Sequence, residues 1–184
     1  MRYVAARSVT AAVVSAVALA LGGCSGVEDV DLGAARDFDA YPLYWTGERF
    51  EEWDVSHIEL REDGFSTVAY GTCTPPHNVD EPSCTPPVQI QIQPLCSHLS
   101  AVTRAPIWKH RRIRGAPVGT IDSAPVLLSR RAQVKVYRGE DTDEAAPGRV
   151  LRALRSLNRV EPVVGADEPI PAPPAAVLTG ARRC

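Results

Sequence analysis

Apolar positions along the chain follow two regimes. Near the start they run together: Val9 to Leu21 is interrupted only by Thr10 and Ser15. From Tyr41 onward they alternate with polar residues in short segments. Trp53 to Arg61 carries the alternating pair Ile58 and Leu60. Glu62-Asp63-Gly64 then supplies an Asp-Gly turn signal and Phe65 to Tyr70 resumes the extended pattern, which predicts a β-hairpin. Residues 88–93, VQIQIQ, alternate without a break. Val88, Ile90 and Ile92 should face a core, and Gln89, Gln91 and Gln93 the solvent. Pro94 ends regular pairing or marks an edge. Ile113–Ile121, Pro125–Leu128 and Gln133–Tyr137 are further extended segments, with Val160–Val164 a last short one.

One segment, Pro147 to Asn158, has the helical period. Val150, Leu151, Leu154 and Leu157 form its apolar stripe, while Arg149, Arg152, Arg155 and Arg159 lie off it. Proline is tolerated in a first turn, and the acids Glu140, Asp141, Asp143 and Glu144 precede it where the helix end is positive. The arginine run suits either an anionic partner or a solvated outer face, and the second reading is the more economical. Together these elements predict one α+β domain: a twisted, mainly antiparallel sheet of about five or six strands with the C-terminal helix packed on one face.

The apolar run at the start is 13 residues long and follows Arg2 and Arg7. A membrane span needs ~20 apolar residues, whereas the core of an export signal needs only ~7–15. The run ends in Leu21-Gly22-Gly23-Cys24, which resembles the bacterial lipoprotein box: a leucine and two small residues before a cysteine. The resemblance implies that Cys24 is lipidated through sulfur and becomes the new N-terminus, held by the two chains that stable anchoring requires. The alternative is cleavage at Ala16-Val17-Ala18, but that site lies inside the apolar run. Residues 1–23 are thus expected as signal peptide, 24–40 as an acidic flexible tether, 41–164 as the domain and 165–184 as a proline-rich tail. The predicted location is the extracytoplasmic face of the cell membrane. The mature chain carries 18 basic and 22 acidic residues, a net charge of −4, which supplies no global field for nucleic acid.

Lipidation of Cys24 leaves four cysteines, Cys73, Cys84, Cys96 and Cys184, in an oxidising compartment where disulfides are the default. Cys84 and Cys96 flank the VQIQIQ strand, which at ~3.3 Å per residue holds them roughly 26 Å apart, far beyond the ~7 Å that a bridge spans. That excludes Cys84–Cys96 and its complement Cys73–Cys184. If the strand ending at Tyr70 pairs antiparallel with the one starting at Val88, Cys73 and Cys84 lie at one end and Cys96 at the other. The predicted bridges are Cys73–Cys84 and Cys96–Cys184, the second pinning the tail. Both Cys73 and Cys84 precede Thr-Pro-Pro, which stiffens the chain and keeps it out of a helix.

Tyr70-Gly71-Thr72-Cys73, then Cys84-Thr85-Pro86-Pro87-Val88-Gln89-Ile90-Gln91, then Cys96, resembles a pattern in uncharacterised exported lipoproteins of actinobacteria. Trp45, Gly47 and Phe50 upstream and Ala153-Leu154-Arg155 downstream also fit. The resemblance covers most of residues 44–158. It implies a shared fold and an envelope location, and no activity.

Motifs of catalysis are few. HExxH, Walker, GxSxG and CxxC patterns are absent from the sequence. Cys73, His77 and Cys84, or Cys96 and His98, are ligand types that suit zinc, but the oxidising compartment argues for disulfides, so neither a metal nor a cofactor is expected. Trp108, Arg111, Arg112 and Arg114 form the one basic cluster with an aromatic residue and are the candidate binding surface, against the alternative of a charged edge strand. The expected function is that of a non-catalytic envelope module binding a protein or an anionic wall polymer. The alternative is a small extracytoplasmic hydrolase, which would gather His57, His98 or His110 with a carboxylate in a closed pocket.

Overall fold

The computed structural model describes residues 30–72, 85–97, 111–160 and 163–178. Its centre is an antiparallel sheet of eight strands: β2 (Arg49–Phe50), β3 (Trp53–Glu59), β4 (Ser66–Tyr70), β5 (Val88–Pro94), β6 (Arg112–Ile113), β7 (Ala116–Ile121), β8 (Ala124–Leu128) and β9 (Ala132–Arg138). Their spatial order is β2-β3-β4-β5-β9-β8-β7-β6. A second sheet has two strands, β1 (Tyr44–Trp45) and β10 (Arg155–Ser156). Three short helices complete the chain: α1 (Leu32–Asp37), α2 (Ala146–Ala153) and α3 (Ala175–Leu178). None of the described helices is long and apolar enough to cross a membrane.

The predicted hairpin is β3–β4, and the VQIQIQ strand is β5, at the middle of the sheet between β4 and β9. Val88, Ile90 and Ile92 are fully buried, as their alternation requires. Gln93, expected in solvent, is also buried; it lies opposite Gln133 at the end of the β5–β9 ladder. Pro94 is the last paired residue.

The sheet is larger than the expected five or six strands. The additions β2 and β6, like β1 and β10, are two residues long, too short to show a period. The stretch 113–121 is also not one strand. It turns at Arg114 (φ 49°) and Gly115 (φ 86°), the two-residue type I′ geometry that matches strand twist.

The helix is shorter than predicted. It starts at Ala146 and ends at Ala153, and Leu154 is already extended (φ −54°, ψ 138°). Arg155 and Ser156, expected as helix, pair with Trp45 and Tyr44 instead. The stripe Val150, Leu151, Leu154 and Leu157 is buried as predicted, because the extended segment keeps the same side against the sheet. Within the expected tether 24–40, residues 32–37 are helical, capped by Asp31 Oδ1 accepting from the Ala34 amide at 2.8 Å, and Ala35 is packed in the core. The packed chain therefore reaches back before Tyr41.

Both faces of the large sheet are used. Leu127 belongs to the main cluster with Ile90, Ile92, Val134, Val136, Val150 and Leu151, while its neighbours Val126 and Leu128 belong to a smaller cluster with Leu95 and Val177. Alternation along β8 puts these on opposite faces. The tail contributes Ile170 to the first cluster and Val177 to the second, so residues 163–178 run from one face to the other.

Candidate functional site

Helix α2 lies over β8 and β9 but does not cover their ends. A cavity of about 700 Å³ opens there. Ala124 and Pro125 of β8, Val136 of β9 and Pro147 at the start of α2 lie along it; of these only Pro125 is part-exposed, the others being buried. Arg152 of α2 and Arg111, just before β6, both belong to its lining. The β7–β8 turn, Asp122-Ser123, closes one end.

The charges in this groove fall into two groups. Arg138 donates to the carbonyls of Gly139, Glu140 and Thr142 and faces Glu144. Asp122 pairs with Lys135 at 3.3 Å. The Arg138, Glu144 and Asp122 side chains are thus engaged, Asp122 with a lysine outside the lining, whereas the Glu140 carboxylate, also in the lining, forms no ion pair among the described residues. Arg111 and Arg152 are exposed, and neither forms an ion pair or a side-chain hydrogen bond among the described residues.

The expected basic cluster is divided by the fold. Trp108 lies outside the described residues. Arg111 lines the groove. Arg112 is exposed and donates to the Gly115 carbonyl at 2.7 Å within its own turn. Arg114 is a correction: its guanidinium is taken up by backbone carbonyls. Nε donates to Glu168 O at 2.7 Å, and the terminal nitrogens donate to the carbonyls of Arg152, Leu154, Gly165 and Glu168. Burial pulls its pKa below the ordinary guanidinium value, opposed by Asp167 and Glu168. Arg114 ties the tail and the end of α2 to the β6–β7 turn, and has no donors left for a partner.

Arg149 is also occupied. It forms a two-point pair with Glu51 (2.6 and 3.2 Å) and a further bond to Asp143 at 2.6 Å, and these partners raise its pKa. Arg155 lies over the Trp45 ring, 5.8 Å from its centroid. Of the helix-region arginines seen in sequence, Arg152 alone faces the groove.

Three hairpin turns hold non-glycine residues at positive φ: Glu51 (54°), Arg114 (49°), and Asp122 with Ser123 (48° and 65°). Such positions are strained for L residues and persist where the surroundings fix them. Glu51 is fixed by Arg149, Arg114 by the tail carbonyls and Asp122 by Lys135. Of these turns the sequence separates only Ile121 from Pro125, around Asp122-Ser123; the extended segment expected at 113–121 runs through Arg114-Gly115 despite the glycine, and Glu51-Glu52 carries no turn signal.

Several residues of the cysteine-flanking motifs have structural roles. Tyr70 Oη accepts from the Thr46 amide at 2.9 Å and donates to Gly47 O at 3.1 Å. Gly71 (φ +108°) packs against Pro87, where an added Cβ would meet Pro87 Cδ at 2.5 Å. Phe50 packs on Trp53 and Tyr70. Cys96, the one cysteine among the described residues, is held in a disulfide whose partner lies outside them. Cys24, Cys73, Cys84 and Cys184 lie outside the described residues, as do His77, His98 and His110. His57 sits on β3, away from the groove. Among the described residues no group of histidine, cysteine or acidic side chains could hold a metal ion.

Comparison of the chain with protein-family models, with curated proteins and with solved structures finds no match.

Proposed function

We propose that the protein is a lipid-anchored module of the cell envelope, held by Cys24 on the extracytoplasmic face, that binds rather than transforms its partner. The observation that carries this reading is the groove between α2 and the β7–β8 turn, whose lining includes two exposed arginines, Arg111 and Arg152, with charges the described fold leaves unused. A cleft of that kind is equipped for recognition. Anchoring by the lipobox cysteine would hold the groove close to envelope proteins and wall polymers.

The finer disulfide assignment belongs to this proposal. Tyr70 pairs with Val88, so the chain leaving β4 and the chain entering β5 stand side by side, which supports Cys73–Cys84. Leu95 and Val177 share one apolar cluster, so Cys96 lies beside the chain that runs on to Cys184, which supports Cys96–Cys184.

The test is crosslinking on intact cells with identification of the captured material. Wild-type protein should enrich an envelope protein or wall polymer that a Cys24→Ala control does not. Equal recovery from the two would overturn the proposal.

A further inference from the structure

We infer that Arg155, on the small β1–β10 sheet, is the centre of a second binding site, one that takes a single carboxylate. The site shares no lining residue with the α2 groove and does not depend on it or on the lipid anchor.

The arginine is held in place by what surrounds it. Antiparallel pairing sets Trp45 directly opposite Arg155. The guanidinium lies over the buried indole, its Cζ 5.8 Å from the ring centroid. Its other neighbour is bare backbone. Gly47 has φ +114°, and a Cβ built there would lie 2.7 Å from Arg155 Cζ. Gly47 thus leaves open the space that the guanidinium fills. Between a ring and a glycine, the side chain has little rotamer freedom left to lose when a ligand arrives.

Its donors are unspent. Arg155 is exposed and forms no hydrogen bond or ion pair among the described residues, whereas Arg114 and Arg149 spend theirs on carbonyls and carboxylates. It borders a cavity of about 420 Å³ whose lining also includes Trp45, Glu48, Arg49 and Ser156. That size suits a small acid or the end of a peptide chain.

Charge sets the class of ligand. Arg49 is held by Asp54 at 3.0 Å, and Glu48 lies 3.9 Å from Arg36; neither partner belongs to the lining. Arg49 and Arg155 against Glu48 leave the lining one positive charge, and Arg155 is the member without a counter-ion. A monoanion matches that charge, while a polyanion would bring further negative charge up to Glu48. Among monoanions, a carboxylate offers two coplanar oxygens that fit the guanidinium fork, and a halide does not.

The test uses the full mature protein, isotope-labelled and in detergent, and follows the Arg155 Nε–H and Trp45 indole N–H resonances by NMR. Acetate and N-acetylalanine are titrated at constant ionic strength, beside chloride and inorganic phosphate. Both resonances should shift saturably with acetate and not with chloride. Tighter binding of N-acetylalanine supports the site with a peptide terminus as its source, and equal binding supports it with a free acid. Arg155→Lys keeps the charge but loses the fork, and should weaken acetate binding at least about tenfold by the Trp45 resonance. Glu48→Gln removes the one acid of the lining and should bind acetate more tightly. No saturable shift with either carboxylate would overturn the inference, as would chloride or phosphate binding as tightly as acetate. Wild-type affinity in Arg155→Lys, or loss of binding in Glu48→Gln, would overturn it equally. None of these outcomes bears on the cell crosslinking, which tests the anchored module as a whole.

Discussion

Asn158 and Leu43 lie 115 residues apart in sequence and are joined by a buried hydrogen bond, the Leu43 amide donating to Asn158 Oδ1 at 2.8 Å. The Asn158 amide nitrogen donates in turn to the carbonyls of Phe38 and Tyr41, each at 2.8 Å. One side chain therefore holds the segment after α1 against the segment after β10. Asparagine alone offers a matching acceptor and two donors in so small a volume. Asn158→Ala leaves one amide and two carbonyls without a protein partner and should destabilise the fold by about 2–4 kcal/mol. Asn158→Asp keeps the acceptor but turns a carboxylate oxygen toward two carbonyls, and should cost at least as much. Equilibrium denaturant unfolding measures both. A loss below about 1 kcal/mol in each would show that this junction contributes little.

Arg114 is predicted to act on the tail and not on the partner. Arg114→Ala removes the donors that hold the carbonyls of residues 152, 154, 165 and 168, while Ile170 N–H still donates to Arg114 O. The expected result is a loss of about 2–3 kcal/mol, from charge-assisted bonds that are partly solvated. Cleavage around residues 163–169 under limited proteolysis should also be faster. Arg114→Lys should rescue little of this, since an ammonium cannot span four carbonyls as a guanidinium fork does. Capture of material in the cell crosslinking should be retained. An Arg114 variant with normal proteolytic resistance and defective binding would restore Arg114 to the binding surface.

The sequence made the centre of this fold legible because its elements are long enough to repeat. VQIQIQ is β5, Glu62-Asp63-Gly64 separates β3 from β4, and the apolar stripe of 150–157 is buried. Information ran out where tertiary contacts outweigh local preference. Leu154 to Ser156 continue a helical stripe yet are extended, because Arg114 takes the carbonyls at the end of α2 and β1 supplies a strand partner. Arg114 read as part of a basic cluster, and nothing local distinguishes it from Arg111: one is taken up by carbonyls and the other stays free only because of what packs beside each. The groove as a whole was not legible, although Arg111 stands in the candidate basic cluster and Arg152 in the arginine run. Its residues come from four separated stretches, 111, 122–125, 136–140 and 144–152, and only the antiparallel order of the sheet brings them together.

Tyr70 predicts an alkaline limit to stability. Burial raises its pKa above the ordinary 10.0, against the opposing effects of the Thr46 bonds and of Arg155. The folded state then keeps the phenolic proton at pH values where the unfolded chain has begun to lose it. Because the folded state binds the extra proton, its contribution is fully present below about pH 10 and is lost as pH rises through the higher, folded value. Tyr70→Phe should lower stability near neutral pH by about 1–3 kcal/mol, because the Thr46 amide and Gly47 carbonyl lose their partner. It should also flatten the fall in stability above pH 10. Tyr41, raised by burial in the same direction, retains its own share of that fall. Unfolding midpoints between pH 8 and about 11 check the prediction; parallel curves for wild type and variant would exclude Tyr70 as the source.

The disulfide pattern is predicted to divide the labour between the two ends of β5. Val88 opens the strand beside Tyr70, where the proposed Cys73–Cys84 bridge closes a short loop, worth about 2–3 kcal/mol in the chain-entropy model. Pro94 ends it opposite Ala132, and Leu95 then packs with Val177 on the face of the sheet opposite the α2 core. A Cys96–Cys184 bridge there closes most of the domain and contributes roughly 4–5 kcal/mol by the same model. It acts where α3 contributes Val177 and Leu178 to the smaller apolar cluster. Proteolysis under non-reducing conditions should yield one fragment joining Cys96 to Cys184 and another joining Cys73 to Cys84. Cys184→Ser should destabilise the protein more than Cys73→Ser/Cys84→Ser, because the loop it opens is longer. It should also release the chain around Val177 to protease while leaving Ile170 protected by the main core. A fragment joining Cys96 to Cys73 or Cys84 would overturn the assignment.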